Sequence, residues 1–246
     1  LADSPFLHEH ERRMGALTER LMAMRQEDGT FRAEADETVS LMTQAVVAAA
    51  MMRLDADAPL RRYRLIAREL IDFTWREADV TNIIGVLPWL HEAERALFAA
   101  DAKGGEAFAA MYPAELDNAL NLLLAVQVVD EPRLGPADVL GGFDFSAADR
   151  LAPPNPDWRS AYALHALSAA LGDPQLSPAD RARLTDRCAL AARFLAQLMF
   201  DERNSYYVRS ADDTRGAVRS RLWDNQLGVT PTAASLLAVV RLNQAL

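Results

Sequence analysis

Gln26-Glu27-Asp28-Gly29-Thr30-Phe31 separates two segments of opposite character. Before it, residues 11–25 place Met14, Leu17, Leu21 and Met24 three and four apart, the spacing of an amphipathic helix. After it, residues 38–54 are apolar on almost every side and hold the Ala45–Met52 run, which predicts a helix buried on most sides. Gly29 supplies the left-handed residue that ends the first helix. The unit is therefore an amphipathic helix, a terminal Gln, a Gly/aromatic turn, a crossing loop with Thr43, and a small-residue helix.

The same plan returns twice. Asn121-Leu122-Leu123 leads to Gln127, then to Gly141-Gly142-Phe143, and Ser160-Ala161-Tyr162-Ala163-Leu164-His165-Ala166-Leu167 follows. Phe194-Leu195-Ala196-Gln197 leads to Asn204-Ser205-Tyr206-Tyr207, and Thr232-Ala233-Ala234-Ser235-Leu236-Leu237 follows. Self-similarity of this kind marks a helical repeat. Arg76 lies midway between Gln26 and Gln127, at the end of an amphipathic stretch and before an apolar one, so four helix pairs are expected, the second without the turn motif. Besides the helices at 11–25 and 38–54, the periodicity predicts helices over 60–76, 82–100, 104–111, 114–127, 158–171, 178–200 and 230–246. Pro88 bends or starts one of them, while Pro178 and Pro231 open two others. Long loops separate 114–127 from 158–171 and cover 201–228. Tyr206-Tyr207-Val208 is the one strand candidate.

Gln26-Glu27-Asp28-Gly29-Thr30-Phe31 and Gly141-Gly142-Phe143 resemble the repeated Gln…Gly-x-Trp signature of the α/α-toroid superfamily. Squalene–hopene and oxidosqualene cyclases, protein prenyltransferase β subunits, complement-type thioester domains and related lyases belong to it. Phe replaces Trp here, and one residue fewer separates Gln from Gly. The resemblance implies an all-α fold, a toroid or arc of about four outer–inner helix pairs, forming a single domain over 1–246. Complete toroids have more pairs than this. Four pairs fit a fragment of a longer chain, a ring completed by a partner or homo-oligomer, or a small divergent version. A plain helical-repeat solenoid is the alternative architecture.

Composition narrows the function. A chain of 246 residues can bury about 70% of its unfolded surface without staples. Half of it is hydrophobic, which excludes disorder, a collagen-like chain and a disulfide scaffold. Lys+Arg number 26 against 35 Asp+Glu, for a net charge of −9, and no basic block stands out, so nucleic acid is not an expected partner. No apolar run reaches the ~20 residues of a membrane span. Cys188 is the single cysteine, set in a helical stretch, and reads as a packed, inert thiol. The chain begins at Leu1 rather than Met, which reads as a processed or excised piece and leans towards periplasmic or extracellular export.

In an outer–inner toroid the connecting loops converge at the N-termini of the inner helices, whose free N–H groups favour anionic groups. The loops 144–159 and 208–229 then form a rim. Asp157, Asp213, Arg221 and Asp224 are its candidate catalytic residues. Trp158, Arg159, Arg219, Trp223 and Asn225 are its candidate ligand contacts. Trp stacks on a sugar ring, carboxylates exchange protons and Arg clamps an acidic group. Glu34, Asp36 and Glu37 would join them from the first pair. The competing reading makes Asp157 and Asp224 caps and has Trp158 and Trp223 packing between pairs.

The family's known chemistries lack their motifs. Asp55-Ala56-Asp57 is followed by Ala58, not by the Asp of a cyclase acid. Cys188 and His165 have no zinc-ligand companions, and His165 reads as a satisfied core histidine. No thioester sequence is present, and His8-Glu9-His10-Glu11 reads as a solvated face. No metal or cofactor is expected. The expected function is a domain binding a small-molecule or glycan ligand, or a partner, without a catalytic motif. A carbohydrate-active lyase or hydrolase using the rim loops is the alternative. A terpenoid-cyclase-like enzyme is disfavoured, since 7% aromatic residues cannot line its cavity.

Overall fold

In the computed structural model, residues 5–32, 38–57, 60–79, 82–104, 113–130, 137–145, 155–173, 176–202, 204 and 210–246 are described. The fold they form is mostly helical, with one two-stranded hairpin among them. The chain divides into two compact units, Leu1–Ala78 with Ala93–Phe108, and Asp79–Glu92 with Ala109–Leu246.

The first unit holds α1 (Pro5–Ala23), α2 (Leu41–Asp57), α3 (Arg61–Glu77) and the later part of α4 (Ile83–Gly104). Helix α2 packs along α3. Ala45, Val47, Ala48, Met51 and Met52 of α2 are buried, and α3 buries the stripe Tyr63, Ile66, Ala67, Leu70, Ile71 and Thr74. Small residues on α2 let the two backbones approach. The corner between them is pinned by buried Asp55, whose Oδ1 accepts the Leu60 N–H at 2.9 Å and lies 3.4 Å from Arg64 Nε. Trp75 Nε1 donates to Glu94 Oε1 on α4 at 2.5 Å.

The second unit holds the first part of α4, α5 (Pro113–Val126), α6 (Ser160–Leu171), α7 (Pro178–Leu198), the short α8 (Ala211–Thr214), β1 (Arg219–Arg221), β2 (Asp224–Leu227) and α9 (Val229–Ala245). Helix α6 packs against α7 and α9 and is buried along almost its whole length. Ser177 caps α7, accepting the Asp180 N–H at 3.1 Å, with Pro178 at the first helical position. Pro88 lies inside α4. Cys188 is fully buried on α7, and burial pushes its thiol up to about 11.

Three connections share one hydrogen-bonding scheme. A residue just past an amphipathic helix bridges a buried apolar residue: Arg25 to Phe31, Gln127 to Phe143, Met199 to Val218. The next N–H along donates across the turn, Gln26 to Thr30 O at 2.8 Å, Val128 to Gly142 O at 2.9 Å, Phe200 to Ala217 O at 2.9 Å. A glycine N–H returns the bond, Gly29 to Gln26 O at 3.0 Å, Gly141 to Val128 O at 2.7 Å, Gly216 to Phe200 O at 2.8 Å. Among the described residues these three are the glycines with positive φ, at 84°, 91° and 82°, a region only glycine enters without strain. The bridged residue then donates its N–H to a side chain of the following helix: Phe31 to Gln44 Oε1 at 2.8 Å, Phe143 to Ser160 Oγ at 3.0 Å, Val218 to Thr232 Oγ1 at 3.0 Å. The scheme tolerates very different inserts: Glu27-Asp28 in the first, 129–140 with a 3₁₀ turn at Ala137–Val139 in the second, and 201–215 with α8 in the third.

Several expectations are corrected. The third turn of this scheme is Gly216-Ala217-Val218, and of Asn204-Ser205-Tyr206-Tyr207, read for that place, residues 205–207 lie outside the described residues. The residues that align with Gln127 are Arg25 and Met199, not Gln26 and Gln197, and Gln44 takes the place read for Thr43. The 201–228 loop contains the β1–β2 hairpin. Its two-residue turn, Leu222-Trp223, lacks the Asn-Gly or Asp-Gly signal, and its strands are too polar to alternate. Helix α9 is apolar in sequence yet buries only Pro231, Ser235 and Ala238. The helix read at 104–111, the strand candidate Tyr206-Tyr207-Val208, and Glu34, Asp36 and Glu37 lie outside the described residues, apart from position 104 at the end of α4.

Candidate functional site

Residues of the predicted rim meet where α6 begins. Asp157 is buried, and its Oδ1 accepts the Arg159 N–H at 2.8 Å, turning the chain into α6. The same carboxylate receives the Arg159 guanidinium, Nε at 3.0 and 2.9 Å and Nη2 at 2.8 Å. The hydrogen bond to Asp157 is the main cause that raises the Arg159 pKa, so the pair is closed on itself. The guanidinium also lies over the Phe145 ring, 5.8 Å from its centroid, and Phe145 stacks on Phe143 at 6.2 Å. The Trp158 ring meets Tyr162 edge-on at 5.4 Å, one turn further along, and burial raises the Tyr162 phenol.

The hairpin joins this cluster through backbone: the Trp158 N–H donates to Ser220 O at 3.1 Å. Arg219 is anchored from below, donating to Gln197 O at 2.8 Å, with its guanidinium 5.7 Å from the Phe200 ring centroid. Asp224 Oδ1 accepts the Gln226 N–H at 3.1 Å and shapes the strand entry. Arg221 is partly buried on β1, and Asn225 is exposed on β2. Trp223 stands in the hairpin turn, 54% exposed. Asp213 is exposed on α8.

The structure thus brings Asp157, Trp158 and Arg159 together and ties them to the strand holding Arg219 and Arg221. It gives Asp157 and Asp224 backbone-capping bonds. Among the described residues no hydrogen bond joins Asp213 to either, and no group of three or more His, Cys, Asp or Glu side chains could hold a metal ion. Sequence reasoning missed Phe145, Tyr162 and Ser220. Tyr162 was findable, being four residues from Trp158 on a helix, whereas Ser220 carried no signal. His165 is buried and lies edge-on to Trp89, with ring centroids 5.3 Å apart.

Two clefts are lined by other residues. One of about 440 Å³ runs beside the start of α9 and is lined by Leu227, Val229, Thr232, Ala233 and Leu236. The other, about 310 Å³ in the first unit, is lined by Asp28, Thr30, Glu69, Asp72 and Arg76 among others. Two of its carboxylates are paired locally: Glu69 with Arg25 and Asp28 with Arg32, and hydrogen bonds from Thr30 hold the Asp28 carboxyl below its usual range. No helix of the described residues is long and apolar enough to cross a membrane. Compared with family models, curated proteins and solved structures, the chain matches none of them.

Proposed function

We propose that this chain is a helical-repeat domain of the α/α-toroid type, an arc of about four outer–inner pairs, that binds a ligand or partner through the loops carried on its turns. The observation that supports it is the recurrence of one turn scheme three times with inserts of different length. A scaffold of that kind holds the helix junctions constant while varying what it displays, which is how binding surfaces are mounted on rigid elements. The hairpin that follows the third turn displays Trp223, and Trp158 and Arg159 adjoin its first strand. The alternative of a lyase or hydrolase requires carboxylates available for proton exchange. Asp157 is committed to Arg159, and Asp224 accepts a backbone amide, which weighs towards binding.

The test is a thermal-shift screen against acidic and neutral oligosaccharides, repeated with Trp223→Ala and Arg221→Ala. The expected result is a saturable stabilisation by one class of glycan, weakened at least tenfold in affinity by either change. Stabilisation that persists in both variants overturns the rim as the binding surface. Release of shortened glycan during incubation favours the enzyme instead.

A further inference from the structure

Helices α6 and α9 are both rich in small and apolar residues, yet they end up in different surroundings. Helix α6 is covered by α7 on one flank and α9 on another. Helix α9 is covered mainly by α6, with smaller contacts to α7 and β1 and the Arg241–Glu92 pair, and one side of it stays bare. Val229, Ala233, Leu236 and Val240 form an exposed stripe at i, i+4, i+7 and i+11, with Val239 beside it. Leu236 is 66% exposed. The apolar cleft at Leu227 continues the stripe past the N-terminal end of the helix.

We propose that this face is the contact between two copies of the chain, α9 lying antiparallel on its twofold mate with Leu236 near the axis. Two observations choose a second copy as the occupant. The first is charge. The chain carries −9, so two copies repel over most of their surface. Helix α9 holds one charged residue, Arg241, and that is bound to Glu92 at 2.6 Å, leaving the stripe without charge. The second is size and shape. The exposed stripe with Leu227 offers on the order of 500 Å² of apolar surface, as large as the functional patches of monomers. Doubled across a twofold axis it reaches about 1,000 Å², the lower limit of a specific contact. Ala233 allows the close helix approach that Ala238 allows on the α6 side. The association is accordingly reversible, and salt strengthens it by screening the repulsion.

Sedimentation velocity over about 1–300 μM tests this. The expected weight-average mass rises from 27.1 kDa towards twice that value, further at high salt. Leu236→Arg should hold the chain at 27.1 kDa, while Leu17→Arg, at another exposed leucine, should leave the rise unchanged. Oxidation of Leu236→Cys gives a second reading. Cys188 is buried and does not compete, so a disulfide dimer should form at least tenfold faster than with Leu17→Cys. A constant monomer mass overturns the proposal. So does a dimer that survives Leu236→Arg, or equal cross-linking of the two cysteine variants.

Discussion

Gln44 holds the Phe31 peptide unit from both sides: the Phe31 N–H donates to Oε1 at 2.8 Å, and Nε2 donates to the Phe31 carbonyl at 2.9 Å. Both residues are buried. A side chain on the first turn of α2 thereby does for an isolated strand residue what a neighbouring strand would do. Gln44→Leu keeps the volume and strands two buried backbone groups. The expected loss is about 2–4 kcal/mol, read from urea unfolding with an unchanged slope. Ser160→Ala and Thr232→Val each remove a single acceptor and should cost about 1–2 kcal/mol. Losses below about 0.5 kcal/mol in all three would show that water replaces these bonds at no cost.

The three left-handed glycines should not respond alike to alanine. A Cβ on Gly141 would sit 1.9 Å from Leu190 O on α7, so the helix backbone itself must move. A Cβ on Gly216 meets nothing within 4 Å. Gly216→Ala therefore pays only for its backbone conformation, about 1–2 kcal/mol. Gly141→Ala adds a backbone clash and should lose more than about 4 kcal/mol or fail to fold. Melting temperatures of the two variants, compared side by side, decide the point.

Cys188 sets an upper pH limit. Its thiol is raised from 9.0 to about 11 by burial, which favours the neutral form in the folded chain. Between those values the unfolded chain has released the proton and the folded chain has kept it, so stability falls as pH rises. The loss should approach about 2–3 kcal/mol by pH 11, and Cys188→Ala should flatten that part of the profile. Below pH 9 the contribution is constant. A thiol reagent at pH 8 should leave the native protein unmodified and label it fully once it is unfolded.

Most helices were legible because apolar periodicity and proline or glycine stops are local signals. Gly29 and Gly141 were legible for the same reason. The third turn was not. Tyr206-Tyr207 looked like the partner of Phe31 and Phe143, yet the geometry asks for a left-handed glycine two residues before a buried apolar side chain, and Val218 meets that as well as an aromatic does. The register of Gln127 also misled, since Arg25 and Met199 do the same backbone work with other side chains. At the candidate site the capping role of Asp157 was readable from its place before α6. Its closure by Arg159 and the link from Trp158 to Ser220 were not, because they depend on side-chain direction and on a contact distant in sequence.

The reciprocal bonds at the neck of each turn make loop length thermodynamically cheap. Once Phe200 and Gly216 have closed the neck, lengthening the insert from two residues to that of 201–215 adds only about 2 kcal/mol of closure entropy. The necks at 26–29, 128–141 and 200–216 are therefore natural splice points, where one segment can be exchanged for another of different length while the helices on either side keep their places.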